Sequence, residues 1–372
     1  MLFALSEEQN QLASTVRSLL AKRSDSGSVR RAVAEQKGYD EALWAVLCEQ
    51  IGAAALAIPE EYGGLGFSLF ETQIVLEELG AALTPSPLLG SGVLAAQALL
   101  LAGNESACTE LLPGIAEGTS TAAVVWVGEN GQWSTRPDSV TAAERDGWRL
   151  DGAGQLVLDG DDADTLLVLA ATGPDTIALF RVDPDQEGVR RTRSVSMDQT
   201  LRLATVSLES AAATVVAEDA GALLPTLRDV ACVALSGLQV GAAQRCLDMT
   251  VGYAKQRVQF GRPIGSFQAL KHRMADMLVQ VETARSASWA AAWSAAHRDD
   301  DLPVRAATAK AWCSDALNTV AAECVQLHGG IAITWEHDAQ MYFKRAHATS
   351  QLFGQPHEHR QRLFALFAIA GA

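Results

Sequence analysis

The chain has 372 residues, of which 48% are hydrophobic and 20% are charged, so it is long enough to bury a sizeable core. Its 44 acidic residues outnumber its 29 basic residues, and a net charge of −15 argues against nucleic acid as the main partner. The start, MLFALSEEQNQ, lacks an export signal, and the apolar runs are too short to cross a membrane. We therefore expect a cytoplasmic protein with no membrane partner.

No metal site or disulfide framework is expected from the cysteines and histidines. The six cysteines are scattered and include no Cys-x-x-Cys pair, which is typical of buried thiols in a reducing compartment. The seven histidines all follow Lys271, and none stands at metal-ligand spacing with acids on one helix face. The sequence thus predicts no metal.

Three regions follow one another along the chain, and together they predict an α+β fold that is mostly α. Residues 1–118 have helical periodicity that begins with a capping box at Ser6 to Gln9 and has a turn-rich loop at Ile58 to Gly66. Residues 119–222 contain short β-rich runs such as TAAVVWV, QLVLDG and TIALFRVD, separated by turn residues. Residues 223–372 contain four or five long helices. Strands and helices do not alternate, which disfavours a doubly wound parallel sheet.

A basic segment interrupts the last helical region of this acidic chain. Between Met249 and Ala275 there are five basic residues and no acid, and the segment includes the turn QFGRPIGSFQ at 259–268. We expect Arg257 and Phe260 to share one helix face, and Ser266 to cap a helix from Phe267 to about Ala296. A helix N-terminus beside arginines suits a nucleotide pyrophosphate. The alternative is a solvated helix hairpin whose arginines extend along its surface.

A second element, QLHGGIA at 326–332, ends the third bundle helix. With this element and RVQFGRPIGSFQALKHRMADM, the chain resembles the acyl-CoA dehydrogenase family of flavoproteins over nearly its whole length, including LSEEQNQLASTVRSLL, IPEEYGGLG and LEELG. The resemblance implies an N-terminal helical domain, a central β-barrel or sandwich domain and a C-terminal four-helix bundle. It also implies FAD, which takes a β hydride while a base takes the α proton of an acyl-CoA thioester.

The same resemblance assigns a cofactor half-site. In the family, the two motifs contact an FAD that is held mainly by the neighbouring subunit. Carried over to this chain, the contacting residues are Arg257, Phe260, Gln268, Gln326, Gly329 and Gly330.

The half-site that a family member keeps for its own flavin is altered in this chain. Where the family has a Thr-Glu and Gly-Ser-Asp loop after the first strand, residues 127–134 read VGENGQWS. Where a flavin-facing strand normally reads Lys-x-Trp-Ile-Thr, residues 154–160 read GQLVLDG. We infer that the flavin ring is not bound there in the usual way.

The catalytic base of the family is also missing from the sequence. Its commonest position, a Glu in a Tyr-Glu-Gly turn, is occupied by Phe353, and the position on the first bundle helix is occupied by Ala231. Asp229 is two residues away and is expected on the other helix face. Glu358 is expected in the exposed first turns of the last helix, where it interacts with the helix dipole. No catalytic residue is therefore assigned.

These absences resemble one branch of the family, the heteromeric acyl-CoA dehydrogenases of bacterial steroid side-chain breakdown. The resemblance implies a homologous catalytic partner in an α2β2 heterotetramer, an acyl-CoA substrate, and an electron-transfer flavoprotein as acceptor. Two other readings stay open. One is a self-sufficient dehydrogenase or flavin monooxygenase with Glu358 or another acid as base, and the other is an interaction protein that binds no nucleotide.

Overall fold

The computed structural model describes residues 4–128, 133 and 139–370. The helices are α1 (Glu7–Arg23), α2 (Ser26–Ala34), α3 (Glu41–Val46), α4 (Leu69–Ala82), α5 (Ala96–Ala102), α6 (Glu105–Glu117), α7 (Leu223–Gln256), α8 (Gln268–His297), α9 (Leu302–His328), α10 (Ala339–Gln351) and α11 (Pro356–Ala370). The strands are β1 (Ala122–Val125), β2 (Val140–Glu144), β3 (Trp148–Leu158), β4 (Thr165–Ala171), β5 (Ile177–Val182), β6 (Val189–Arg193), β7 (Leu203–Ala217), β8 (Val258–Gln259) and β9 (Arg262–Pro263).

Two compact units divide the chain. The helical unit comprises Met1–Arg31, Gln73–Thr84 and Cys232–Ala372, and the barrel unit comprises Ala32–Thr72 and Pro85–Ala231. Because both units combine distant stretches of the sequence, they do not test the three-domain division at 118 and 222. That division stays a prediction.

The helical unit contains the C-terminal bundle that the sequence predicts. Its first helix starts with the expected capping box, in which the Ser6 hydroxyl accepts from the Gln9 amide at 3.2 Å and the Gln9 side chain accepts from the Ser6 amide at 3.0 Å. Buried apolar side chains of α7, α8, α9 and α10 form one continuous core cluster. By length and hydropathy α7 would pass for a membrane span, but 89% of its apolar window is buried within the protein.

Helices α4 and α7 approach each other closely enough for their backbones to touch. A Cβ atom at Gly241 would lie 1.8 Å from the carbonyl oxygen of Glu77, and one at Gly80 would lie 2.2 Å from that of Leu238. The buried Gln73 side chain strengthens this contact, since its Nε2 donates to the Val233 carbonyl at 2.8 Å. Only glycine fits at the two contact positions.

The barrel unit contains a closed sheet. Strands β2, β3, β7 and β5 follow one another as antiparallel neighbours, and β4 closes the ring by pairing with β5 along Leu166 to Ala171 and with β2 at Ala171. Strand β1 lies parallel to β4, and β6 pairs with β7. The inward-facing residues include Leu150, Phe180 and Val206, which are all fully buried. The expected β-barrel or sandwich is thus a barrel, and the mostly α, α+β fold class is confirmed.

The contact between α4 and α7 predicts opposite effects for two glycine substitutions in one helix. Gly241→Ala should lower the free energy of unfolding by roughly 1–3 kcal/mol, because its methyl group overlaps the Glu77 backbone. Gly252→Ala is the matched control, since beyond its own helical turn no atom of the described residues lies within 4 Å of a Cβ there, and it should raise stability by about 0.5–1 kcal/mol. Urea unfolding of both variants measures the difference, and equal stability would contradict the close approach.

Candidate functional site

Residues 258–263, in the middle of the basic segment, form a short β-hairpin and not a helix face. Helix α7 ends at Gln256, and strands β8 and β9 pair Gln259 with Arg262 around the two-residue turn Phe260-Gly261. Both turn residues have positive φ, 52° for Phe260 and 74° for Gly261, as a type I′ hairpin turn requires. The expectation that Arg257 and Phe260 share a helix face is therefore wrong, because the helix stops before either residue.

The start of α8 also differs from the expectation. Ser266 lies in a 3₁₀ turn, where its hydroxyl donates to the Pro263 carbonyl at 2.7 Å. The N-cap position is occupied by Phe267, which offers no side-chain cap, and α8 begins at Gln268. The capping role of Ser266 is thus wrong, because the tight turn uses its hydroxyl. The Phe267 ring instead packs under the Arg262 guanidinium, 4.1 Å from the ring centroid.

The second motif forms the exposed end of α9. Gln326 is exposed in the last turn, and Gly329 ends the helix with φ 67° and ψ −148°, a conformation that favours glycine. Gly330 follows in a 3₁₀ turn and does not have a left-handed φ. Apart from Gly330 itself and its two neighbours, no atom of the described residues lies within 4 Å of a Cβ built at Gly330.

A stack of rings brings the two motifs together within the helical unit. The Tyr253 ring in the last full turn of α7 stacks on the His328 ring at the end of α9, with centroids 4.5 Å apart. The Tyr253 carbonyl accepts from the Arg257 amide at 2.8 Å, and the Arg257 carbonyl accepts from the Ile264 amide at 2.8 Å. The hairpin that carries Arg257 and Phe260 is therefore anchored beside the turn that carries Gly329 and Gly330.

The six residues of the expected half-site are all exposed in this chain. Phe260 is 91% exposed although it adopts a left-handed backbone that a bulky side chain disfavours. The Arg257 guanidinium has no hydrogen-bond or ion-pair partner in the part of the chain that the structure describes. By contrast, Arg273 in the same basic segment bonds Glu323 at 2.5 Å. Their assignment to FAD stays a prediction.

These residues fit an anionic cofactor that approaches from outside the chain. Neither the backbone conformation of Gly330 nor the atoms around it require glycine at this position. The missing side chain leaves an open space at Gly330 that a Cβ would fill, which we call the cradle. Beside this cradle, Arg257 has all of its donors available, and Gln326 and Gln268 add amide groups. Gln268 Nε2 lies 2.9 Å from the Nε2 of His272. This set suits a phosphate group and neighbouring polar atoms.

The turn at the usual position of the catalytic base is buried and apolar. Phe353 is 1% exposed and has φ 60°, and its carbonyl oxygen lies 2.8 Å from the Nε2 of the buried His359. Glu358 is exposed, and its carboxylate accepts from the Gln355 amide at 2.6 Å, as expected for the first turn of α11. The other base position, Ala231, is fully buried in α7 within the barrel unit, where Asp229 is also buried.

A buried lysine beneath this turn has no counterpart in the sequence analysis. Lys310 is fully buried, and its ammonium group donates to the Ser350 carbonyl and to the Ser314 hydroxyl, both at 3.1 Å. Its burial lowers the pKa of Lys310 from 10.5 to about 8. A lysine among alanines in a bundle helix gives no signal of its burial, because lysine is usually exposed.

The altered flavin loop of the barrel unit lies largely outside the described residues, which include only 127, 128 and 133 of residues 127–134. The second altered run belongs to β3, where the pairing with β7 is irregular between Gly154 and Val157 and Leu156 has φ 54°. A Cβ at Gly154 would lie 2.3 Å from a Val125 methyl group. Glycine at this position therefore has a packing reason within the barrel.

Comparisons with known proteins agree with the fold. The family model described as "Acyl-CoA dehydrogenase, N-terminal domain" matches residues 6–119, and "Acyl-CoA dehydrogenase, C-terminal domain" matches residues 229–363. The acyl-CoA dehydrogenase IpdE2 of Mycobacterium tuberculosis is 45% identical over 357 residues, which are 96% of each chain.

Two solved structures are similar over nearly the whole chain. A variant of the Tcur3481-Tcur3483 steroid ACAD has a TM-score of 0.89 at 32% identity and covers 98% of this chain and 99% of its own. The ChsE4-ChsE5 complex from Mycobacterium tuberculosis has a TM-score of 0.89 at 30% identity and covers 99% of both chains. The resemblance inferred from the motifs is confirmed.

The buried lysine predicts a pH dependence of stability. Between pH 8 and 10.5 the unfolded chain holds the Lys310 proton and the folded chain does not, so the free energy of unfolding should rise with pH by about 3 kcal/mol. Lys310→Met should remove this rise, whereas Lys22→Met, at an exposed position of α1, should keep it. Urea unfolding at several pH values measures the slopes, and parallel curves for the three proteins would contradict the assignment.

Proposed function

The chain belongs to the acyl-CoA dehydrogenase family, and we propose that it is the base-lacking subunit of a heteromeric FAD-dependent acyl-CoA dehydrogenase. In this proposal a homologous catalytic subunit holds the FAD and supplies the base, and this chain completes the cofactor site in an α2β2 heterotetramer. The complex converts an acyl-CoA, a steroid side-chain thioester, to its α,β-unsaturated product. We also place it in the cytoplasm, with an electron-transfer flavoprotein as the acceptor.

The observation that carries the proposal is an exposed half-site that serves no purpose within this chain. The strained turn at Phe260, the available donors of Arg257 and the cradle at Gly330 all face outward. A left-handed turn at a bulky residue costs free energy, and strain of this kind clusters at binding sites. Bound FAD supplies the hydride acceptor, while Arg257 offers charge-assisted bonds to its phosphates.

Apolar side chains around the half-site favour a partner subunit over solvent. Large apolar residues are exposed on the hairpin and on the turn after α9: Val258, Phe260, Ile331, Ile333 and Trp335. Exposed apolar groups of this kind mark protein interfaces when they lie together. A partner that covers them would also enclose a cofactor in contact with Arg257 and Gly330.

The state of the base position supports a non-catalytic role. Abstraction of an α proton requires a carboxylate beside the substrate, and Phe353 and Ala231 provide none. Glu358 is held by its bond to the Gln355 amide on an exposed helix end, which argues against it as a base. A self-sufficient enzyme would need another acid, and an interaction protein would not need the outward-facing arginine.

Similarity to paired relatives is consistent with a heteromer. The ChsE4-ChsE5 structure is a complex, and the name of the Tcur3481-Tcur3483 steroid ACAD combines two protein names. Both are at least 30% identical to this chain. These relatives motivate the steroid thioester as the substrate class.

Substitution of the outward-facing arginine tests the shared cofactor site. In the heteromer, Arg257→Ala should weaken FAD binding by about ten- to a hundredfold, because a charge-assisted bond contributes roughly 1.5–3 kcal/mol. Arg23→Ala, an exposed arginine at the end of α1, should leave FAD binding unchanged. FAD per heteromer is measured by absorbance, with circular dichroism to confirm folding. Full occupancy in the Arg257→Ala complex would refute the half-site.

Production of the chain alone tests whether it needs the partner subunit to bind FAD and to oxidise acyl-CoA. The isolated protein should contain little FAD and should not oxidise acyl-CoA, because it lacks a base and half of the cofactor site. A tagged copy in native cells should co-purify with a second acyl-CoA dehydrogenase subunit and with FAD. Mass spectrometry identifies the partner. An isolated chain that is fully loaded with flavin and active would instead establish a self-sufficient enzyme.

A further inference from the structure

A second arginine, Arg262, lies on the hairpin of the proposed half-site but is not among the six residues that the family motifs assign to the cofactor. It is paired with Gln259 directly beside the hairpin turn. Within the part of the chain that the structure describes, its guanidinium forms no hydrogen bond and no ion pair. Its N–H groups are therefore available to a ligand, as those of Arg257 are.

The register of the hairpin places the two arginines on one face. Gln259 of β8 is opposite Arg262 of β9. Two residues further from the turn, the Ile264 amide donates to the Arg257 carbonyl at 2.8 Å, so these two residues are also opposite each other. Side chains alternate between faces along a strand, and opposite residues of an antiparallel pair share a face. Arg257 and Arg262 are thus diagonal neighbours on one face, which in such a ladder lie about 7–8 Å apart.

The Phe267 ring holds the second guanidinium in place. The central carbon of the Arg262 guanidinium lies over this ring, 4.1 Å from its centroid. Phe267 is itself fixed to the base of the hairpin, because its amide donates to the Ile264 carbonyl at 3.1 Å. A guanidinium over an aromatic face keeps its N–H groups free for bidentate contacts with phosphate oxygens. Its side chain is ordered before a ligand binds, which reduces the entropy lost on binding.

Positive charge around the hairpin is not neutralised by the chain itself. Residues 249–275 include five basic residues and no acid. Among the described residues, only Arg273 of these five forms an ion pair, with Glu323. A diphosphate has two phosphoryl groups, so two guanidiniums on one face match it better than a single one.

We propose that Arg262 is a second phosphate-binding residue of the half-site, and that Arg257 and Arg262 together bind the two phosphoryl groups of a diphosphate. This inference rests on the proposed function, because the diphosphate is that of the FAD that the heteromer shares. Phe267 is a positioning residue in this arrangement. Its ring orders the arginine and need not touch the cofactor.

The affinity of the heteromer for FAD tests the second arginine. Heteromers are purified through a tagged copy of this chain, and quenching of flavin fluorescence gives Kd for the wild type, Arg262→Gln and Arg298→Gln. Arg298 is the matched control, because it is an exposed arginine at the C-terminal end of α8, so the same substitution removes the same charge far from the hairpin. Thermal unfolding of each heteromer is measured alongside.

Arg262→Gln should raise Kd about tenfold, because a hydrogen bond to a charged group is lost, and Arg298→Gln should leave Kd unchanged. An Arg262→Gln heteromer with the wild-type Kd would overturn the inference. A lower melting temperature with that unchanged Kd would show that Arg262 only covers Phe267 and stabilises the start of α8.

Phe267→Leu tests the positioning role separately. Leucine keeps an apolar side chain at the hairpin base and leaves Arg262 in place, but it removes the aromatic face that orders the guanidinium. Kd should rise by about threefold, less than in Arg262→Gln, because the charge is still present. Wild-type FAD affinity in Phe267→Leu would refute the role of the ring.

Chemical modification of the isolated chain covers the case of a variant that does not assemble. Arg257, Arg262 and Arg298 are all exposed in this chain, so phenylglyoxal should react with each of them. Inorganic pyrophosphate should slow the reaction at Arg257 and Arg262 and not at Arg298, as measured by peptide mass spectrometry. Equal reaction rates at Arg262 with and without pyrophosphate would overturn the inference.

Arg257→Ala, measured in parallel, separates the two proposals. If Arg257→Ala loses FAD and Arg262→Gln does not, only the role of the second arginine fails. If Arg257→Ala keeps full occupancy, the shared cofactor site itself fails.

Discussion

The contact between the backbones of α4 and α7 is the constraint on which the helical unit depends. Gly241 and Gly80 allow the two helices to approach until carbonyl oxygens lie where side chains would begin. At such a distance neither helix can slide or rotate without a clash, because interiors are packed as densely as crystals. The position of α7 is thereby set along its length. The hairpin at Arg257 extends from the C-terminal end of α7, so the position of the helix also fixes where the hairpin begins.

At that end of the bundle, the two motifs expose polar and apolar groups of a kind that the rest of the unit buries and pairs. Elsewhere, buried polar side chains such as Gln73 and Ser288 bond one another, with Gln73 Nε2 2.7 Å from the Ser288 hydroxyl. At the hairpin and the α9 turn, a guanidinium, an aromatic ring and an open glycine all face outward. These features support the proposal that this surface is a binding half-site, because backbone strain and exposed apolar groups cluster at binding surfaces.

The turn at the usual base position shows the opposite arrangement. The Phe353 ring is buried, the carbonyl oxygen of Phe353 contacts His359 and Cys232, and Lys310 bonds the Ser350 carbonyl at the end of α10. The backbone at Phe353 keeps a left-handed conformation even though the side chain is bulky. The turn is therefore held by its neighbours, and a buried aromatic ring cannot exchange protons with a substrate.

The sequence by itself determined the kind of fold, and it supplied the residues of the proposed half-site. Periodicity, the capping box at Ser6 and the β-rich runs depend on neighbours within a few residues, so local chemistry is enough to read them. The two glycine-containing motifs likewise carried the family resemblance. Local rules failed at QFGRPIGSFQ, where a helix face and a Ser266 cap were expected, because the ends of α7 and α8 depend on a hairpin closed by the Ile264–Arg257 bond.

Only the tertiary structure decided which residues meet across the chain. Tyr253 and His328 are 75 positions apart and carry no joint signal in the sequence, yet their rings stack and unite the two motifs. The burial of Lys310 and the glycine contact between α4 and α7 are likewise invisible locally. Each depends on how helices pack, and packing is decided by the shape of side chains from distant segments and not by the spacing of residues along one of them.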